Sequence, residues 1–142
     1  MRIGILGSGL MGAKLGTIFA RAGHEVVFSY SRSERKLKRL AREAQGPARA
    51  ATPCEAGLHA DALLLAVHWS RVDAVLKQAG DLSGKVIVTC SLPMNANDTA
   101  LAVAHTSSGA ETLAKKVRKA HGSGRASCSA ETTVMRRRSR RG

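Results

Sequence analysis

The stretch GILGSGLMG, at Gly4–Gly12, carries three glycines in the pattern Gly-x-Gly-x-x-Gly, at Gly7, Gly9 and Gly12. It directly follows the apolar run Arg2–Leu6, and it opens a segment whose apolar residues recur at helical spacing. Between a strand and a helix, this pattern predicts a loop that binds the pyrophosphate of a dinucleotide. The alternative is a glycine-rich turn without a ligand, and the strand before it and the helix after it favour the nucleotide site.

The three glycines have different expected roles. Gly7 allows the tight turn, Gly9 lets the backbone approach a pyrophosphate, and Gly12 permits close packing of the helix on the strand. Free N–H groups near Leu10 and Met11 would then face the phosphates, at the helix end where the helix dipole favours an anion.

Beyond the loop, segments typical of strands alternate with segments typical of helices. Such alternation predicts parallel strands joined by helices that cross the sheet. The expected fold class is therefore α/β, a doubly wound, mostly parallel sheet of about five strands. The expected strands are Arg2–Leu6, Glu25–Tyr30, Arg49–Thr52, Ala62–Val67 and Lys85–Cys90; the expected helices are Leu10–Ala22, Ser33–Gln45, Pro53–Leu58, Trp69–Ala79 and Ser108–Val117, and Leu92–Asp98 is expected to be a polar loop.

The end of the second strand, FSYSRSERK at residues 28–36, indicates which dinucleotide is bound. NAD-binding folds place an acidic residue about 20 residues after the glycines, where it accepts hydrogen bonds from the adenosine ribose. Here that distance falls at Ser31 and Arg32, with no carboxylate before Glu34. A 2′-phosphate is held by hydroxyls and guanidinium donors and repelled by a carboxylate. The sequence therefore predicts NADP as the cofactor.

A further positive charge follows in the next helix. Arg35 or Lys36, one turn into that helix, could also contact the 2′-phosphate. The alternative is that these residues form a solvated basic helix face together with Lys38 and Arg39, and for the latter two this alternative is favoured.

Two strand ends are expected at the rim where the nicotinamide half of the cofactor would lie, because ligands of doubly wound sheets bind beyond the carboxyl ends of the strands. Ala66, Val67 and His68 end one strand, and Ser91 follows another. His68 could donate a proton, but a loop residue whose backbone lines the pocket is favoured, since hydride transfer depends chiefly on positioning. Ser91 could touch a ribose or a substrate. No catalytic residue is assigned.

Charge is concentrated at the C-terminus. Of the net charge of +13 over 142 residues, +7 lies in residues 117–142, which hold 8 Lys or Arg and 1 Asp or Glu. Apolar periodicity stops after Ala120, so residues 118–142 are expected to be a flexible basic tail beyond a dinucleotide-binding domain at 1–117. Such a tail could bind nucleic acid only through phosphates, without sequence preference.

Other classes of protein and site are not indicated. Cys54, Cys90 and Cys128 are odd in number and lack a C-x-x-C pair, which favours a reducing cytoplasm over a disulfide framework or a zinc site. No metal site is expected, since the histidines follow no metal-ligand spacing. No apolar run approaches the roughly 20 residues of a membrane helix.

The order of several phrases gives a family resemblance. With the glycine loop, HEVVFSYSRSERK, LLLAVHW, LSGKVIVTCSLP and SSGAETLAKKV in sequence, the chain resembles the N-terminal Rossmann domain of the NADP oxidoreductases that depend on the deazaflavin coenzyme. The resemblance runs from Met1 to about Lys119. It implies hydride transfer between NADP and a second redox partner such as a deazaflavin. It also maps phosphate binding onto Ser8 to Met11 and the 2′-phosphate clamp onto Ser31, Arg32 and Arg35.

The chain departs from that family in two places. The family commonly has proline where His68 stands, and it continues into a sixth strand where this chain enters Arg118–Gly142. We therefore expect an aberrant or truncated C-terminus in place of the segment that completes the substrate pocket. Two alternatives remain open: a noncatalytic NADP-binding or regulatory module, and a homodimer whose partner covers the edge of the sheet.

Overall fold

The computed structural model describes residues 1–101 and 108–122, and the basic tail expected from residue 118 lies largely outside them. Strands and helices alternate through the described residues as the sequence predicts. The strands are β1 Arg2–Leu6, β2 Glu25–Ser29, β3 Ala48–Ala50, β4 Ala62–Leu65 and β5 Val86–Thr89. The helices are α1 Leu10–Arg21, α2 Glu34–Glu43, α3 Pro53–His59, α4 Val72–Ala79 and α5 Gly109–Gly122, with a short 3₁₀ helix at Trp69–Arg71.

All five strands pair in parallel, in the order β3-β2-β1-β4-β5. The order reverses between β1 and β4, which is the switch point of a doubly wound sheet. The expected fold class is therefore confirmed. The switch point also fixes where a ligand would bind, because the ends of β1 and β4 diverge there and leave a crevice between the following loops.

Alternate residues of the strands face two separate cores. Ile5, Val26 and Phe28 pack in the core that includes residues of α1 and α2. Leu6 and Leu65 pack in the other core, with residues of α3, α4 and α5. This alternation explains why the strand sequences are almost continuously apolar, since both faces of the central strands are covered.

Helix starts follow local capping signals. Ser33 caps α2, because its side chain accepts a hydrogen bond from the Lys36 N–H. Thr52 and Glu55 form a capping box at α3, in which each side chain accepts from the other residue's backbone N–H. A capping box of the same kind lies at the start of α5, where the Glu111 N–H donates to the Ser108 hydroxyl. These bonds satisfy N–H groups that a helix start otherwise leaves unpaired.

Several boundaries differ from those expected. The third strand lies at Ala48–Ala50 instead of Arg49–Thr52, since Thr52 is used as a helix cap. The expected helix at Trp69–Ala79 is a 3₁₀ turn followed by α4. α5 continues to Gly122, beyond the expected end at Val117.

Candidate functional site

The three glycines of the loop have distinct surroundings. Gly7 has a φ of +118°, and a Cβ added there would overlap the Ala66 carbonyl oxygen. A Cβ on Gly12 would overlap the Gly7 carbonyl oxygen, so α1 begins directly against the loop. A Cβ on Gly9 would meet nothing within 4 Å. Two glycines are therefore required by the fold, and Gly9 leaves open space that a ligand can enter.

The start of α1 presents backbone donors next to that space. Gly9 caps the helix without a side-chain hydrogen bond, and the first backbone bond of the helix runs from the Ala13 N–H to the Gly9 carbonyl, at 2.9 Å. Among the described residues, no protein acceptor takes the N–H groups of Leu10, Met11 or Gly12. Such a helix start attracts an anion, because its unpaired N–H groups and the helix dipole both favour negative charge.

Two serines hold the loop against β2. Ser8 is only 3% exposed, and its hydroxyl donates to the Ser29 carbonyl at 2.9 Å. The buried Ser29 hydroxyl donates in turn to the Ile5 carbonyl at 2.7 Å, and the Gly7 N–H also donates to the Ser29 carbonyl. The side chain of Ser8 thus points away from any phosphate, which leaves its backbone N–H as the group that could contact one.

A cleft of about 990 Å³ opens at the carboxyl ends of the central strands. This volume lies near the upper end of the range of roughly 300–1,000 Å³ found for small-molecule sites. It brings together the residues expected from the glycine loop, from the end of β2 and from the end of β4. The expected site residues that line it are Gly7, Ser8, Gly9, Ser31, Arg32, Ala66, Val67 and His68.

The turn after β2 supplies the basic wall of the cleft. Tyr30 has a φ of +60°, which ends the strand and redirects the chain. The Ser31 hydroxyl accepts from the Ser33 N–H at 3.2 Å, so Arg32 sits in a short, held turn. Glu34, the first carboxylate after the turn, pairs with Lys38 at 2.8 Å, and this hydrogen bond holds the pKa of Glu34 below its ordinary value.

Arg35 does not line this cleft. It lies in a neighbouring groove of about 930 Å³ with Arg39 and Arg42, whereas Lys36 and Lys38 line both depressions. The sequence had left Arg35 and Lys36 open as the additional cation, and the position of Lys36 in the helix turns it toward the cleft. Lys38 also lines the cleft, although the sequence favours a solvated position for it.

His68 lies at the end of β4 with both ring nitrogens engaged. Its Nδ1 accepts from the Ser70 N–H at 3.2 Å, and its Nε2 is 2.7 Å from Asp98 Oδ1. Because Nδ1 accepts, the proton of the neutral ring lies on Nε2, which donates to Asp98. His68 lines the cleft, and its ring contacts Asp98, 30 positions further along the chain.

Ser91 is turned inward. Its hydroxyl donates to the Val67 carbonyl at 2.6 Å, and Ser91 is not among the residues that line the cleft. Its position ties the ends of β4 and β5 together. Direct contact of this hydroxyl with a ligand would require that bond to break.

The sequence of the chain matches a known protein family. The family described as NADP oxidoreductase, coenzyme F420-dependent, matches residues 2–93, which include the glycine loop, the basic turn and β5. The chain belongs to this family. F420 is the deazaflavin coenzyme, so the resemblance read from the sequence is confirmed. No curated protein matches the chain.

Solved structures share the fold of this NADP oxidoreductase family member. A protein from Arthrobacter sp. FB24, described as an F420-dependent NADP reductase, superposes with a TM-score of 0.71 at 22% identity, over 83% of this chain and 58% of that one. A protein from Sinorhizobium meliloti, described as hypothetical, superposes with a TM-score of 0.69 at 21% identity, over 82% of this chain and 57% of that one. Pyrroline carboxylate reductase from Plasmodium falciparum, with NADP bound, superposes with a TM-score of 0.51 at 17% identity, over 69% of this chain and 36% of that one. The chain therefore spans a little over half the length of the first two.

Some residues that line the cleft of this family member were not predicted from the sequence, and two of them carry polar side chains from other elements. Arg71 and Thr52 line the cleft from the turn before α4 and from the cap of α3. The Thr-Pro-x-Glu signature of a helix start was present at Thr52, and it could have placed that helix start at the carboxyl end of the sheet. Nothing in the sequence around Arg71 distinguishes it from the other surface arginines.

The described residues also bear on the expectations for cysteines, metal sites and membrane helices. Cys90 is a free thiol, and Cys128 lies outside the described residues. Within residues 1–101 and 108–122 no group of three or more His, Cys, Asp or Glu is placed to hold a metal ion. Over the same residues, no helix has the length and apolar character needed to cross a membrane.

Proposed function

We propose that the chain is the NADP(H)-binding domain of an oxidoreductase that transfers a hydride between the nicotinamide and a second redox partner such as a deazaflavin. The observation that carries the proposal is one continuous cleft with two anion-binding parts. One part is the open space at Gly9 beside the free N–H groups of α1, and the other is the basic turn at Arg32. In a doubly wound fold the pyrophosphate lies at the glycine loop and the adenosine ribose near the residue about 20 positions further on, so the two parts match the two phosphate positions of NADP.

The basic turn supports NADP over NAD. Arg32 is a permanent cation with planar donors suited to a phosphate, and Ser31 and Lys36 line the same cleft. Glu34 is already paired with Lys38, so its charge is offset before any ligand arrives. A 2′-phosphate carries a charge of about −1.5 to −2 at neutral pH, which this set of donors can balance.

The chain's own residues would bind and orient the cofactor. The helix start and Gly9 would hold the pyrophosphate, and the ends of β4 and β5 would position the nicotinamide half. When bound, the nicotinamide supplies or accepts the hydride, and the protein contributes position and electrostatics. No side chain of the described cleft is needed as an acid for transfer to a carbon centre.

Turnover with oxidised deazaflavin coenzyme tests the proposal. NADPH oxidation that requires both the chain and the coenzyme supports it. Binding of NADPH without turnover favours the alternative, a noncatalytic NADP-binding or regulatory module. Failure to bind either NADPH or NADP⁺ contradicts both.

The proposal extends to partners and compartment. Val86 and Val88 of β5 are 62% and 55% exposed on one face of the edge strand, which suits a homodimer that covers this face. Particles of monomer mass in sedimentation would contradict a homodimer. We also propose a cytoplasmic location, and recovery of the chain from the membrane or secreted fraction of its source cells would argue against it. Nonspecific nucleic-acid binding by the tail concerns residues outside those described.

A further inference from the structure

The segment after β5 forms a built turn, although the sequence predicted only a polar loop. Met94 and Leu101 pair as an antiparallel bridge, and the Asn95 N–H donates to the Ala100 carbonyl at 2.9 Å. Inside the turn, the Asn95 side chain accepts from the Thr99 N–H and donates to the Thr99 hydroxyl, each at 2.9 Å. We call Met94–Leu101 the β5 hairpin. These bonds give the hairpin a defined shape.

One contact joins the tip of the β5 hairpin to the cleft. Asp98, which has a φ of +55°, accepts from His68 Nε2 at 2.7 Å. The two residues are 30 positions apart, and the other ring nitrogen of His68 is fixed by Ser70. The ring therefore has a set orientation, and it holds Asp98 next to His68, which lines the cleft, although Asp98 itself does not line it.

The position of the hairpin follows from the topology. β1 to β3 and β4 to β5 belong to different halves of a doubly wound sheet, and each half receives one mononucleotide of a dinucleotide. The basic turn after β2 lies in the first half, and the hairpin follows β5 in the second half. A hairpin anchored at His68, which lines the cleft, stands at the nicotinamide end.

We propose that the β5 hairpin is the wall of the nicotinamide end of the cleft, and that His68 and Asp98 are a positioning pair that holds it in place. The inference rests on the proposed NADP(H) site. His68 is suited to this role and not to proton donation, because both ring nitrogens already have protein partners. The pair acts on the ligand through the hairpin, so its loss should be felt only at the nicotinamide half.

Calorimetric titration with two ligands tests the pair. NADPH spans both halves of the site, whereas adenosine 2′,5′-bisphosphate contains only the adenosine half with its 2′-phosphate. We expect Asp98→Ala to weaken NADPH binding by about tenfold, as when a hydrogen bond to a charged group is lost. Binding of adenosine 2′,5′-bisphosphate should stay unchanged. Asp98→Asn keeps an acceptor oxygen for His68 Nε2 and should bind NADPH within about twofold of the unaltered chain.

A second variant separates the loss of the carboxylate from a loss of the fold. Asp98→Gly removes the carboxylate and suits the positive φ, so it should lose NADPH affinity as Asp98→Ala does while it unfolds at the same temperature as the unaltered chain. Equal losses for both ligands, or no loss for either, would overturn the hairpin wall alone. If the unaltered chain does not bind adenosine 2′,5′-bisphosphate, the proposed cofactor site itself fails, and the inference fails with it.

Discussion

The two halves of the sheet differ in how completely they are covered. In β1 and β2 every residue after the first is buried, because helices pack on both faces. In β5, Val86 and Val88 are 62% and 55% exposed, and they occupy the positions paired with Ala62 and Leu64. The half of the cleft proposed for the adenosine is thus built on a closed core, and the half proposed for the nicotinamide includes a strand with one open face.

The difference shows which interactions set each part of the site. The glycine loop and the basic turn are fixed by bonds within about the first third of the chain, such as the Ser8 hydroxyl to the Ser29 carbonyl. The rim at β4 and β5 is held by hydrogen bonds within the later part of the chain, from Ser91 to Val67 and from His68 to Asp98. Substitutions in the two halves should therefore have unequal effects on stability and on binding.

The largest expected contrast is between an aromatic residue of β2 and a valine of β5. Phe28 is fully buried, so Phe28→Ala should lower the free energy of unfolding by about 3–5 kcal/mol. Val88→Ala should lower it by less than about 0.5 kcal/mol in a monomer, because that side chain is already half in water. Urea unfolding of both variants measures the contrast. Similar losses at the two positions would mean that something covers β5 in solution.

The two glycines of the loop offer the next contrast. Gly12→Ala should cost about 3 kcal/mol of stability, since the new methyl group would overlap the Gly7 carbonyl and push α1 away. Gly9→Ala should cost less than about 1 kcal/mol, because its Cβ would enter open space, yet it should abolish measurable NADPH binding. Thermal unfolding and calorimetry separate the two effects. A Gly9→Ala variant that keeps its NADPH affinity would contradict a pyrophosphate at this loop.

Much of the closed half could be predicted from the sequence. The glycine pattern between a strand and a helix placed the loop, and the Ser31-Arg32 pair placed the basic turn within the cleft. These features are local, since spacing along the chain fixes them once β1 and β2 are paired in parallel. The choice between Arg35 and Lys36 could not be made, because it depends on the rotation of α2 on the sheet, which its packing sets.

The open half was harder to predict for a physical reason. A polar loop was expected at Leu92–Asp98, and the hydrogen bond between His68 and Asp98 was not foreseen. Such a contact joins residues 30 positions apart and follows no periodicity. The sequence also could not predict that the Ser91 hydroxyl bonds to the Val67 carbonyl, because a serine at a strand end can face either a ligand or a neighbouring carbonyl.

The smallest expected effect is at the junction of the two halves. Asp61 accepts from the Arg2 N–H at 2.7 Å, and this bond holds the pKa of Asp61 below its ordinary value of 3.8. A lowered pKa in the folded state means that the stabilisation is present above pH 3.8 and is lost as the pH falls through the lower folded value. Asp61→Asn should be slightly less stable near neutral pH, and the difference should shrink in acid. Urea unfolding over a pH series checks this, and a difference that is constant with pH would count against it.

The most direct test of the central claim is a titration of the chain with NADPH and with NADH, repeated in Arg32→Ala and in the matched control Arg35→Ala. We expect the unaltered chain to prefer NADPH by about tenfold or more, roughly 1.4 kcal/mol. Arg32→Ala should lose that preference through weaker NADPH binding, and Arg35→Ala should keep it, because Arg35 lies in the neighbouring groove. Equal affinities of the unaltered chain for NADPH and NADH would contradict the 2′-phosphate site at Arg32.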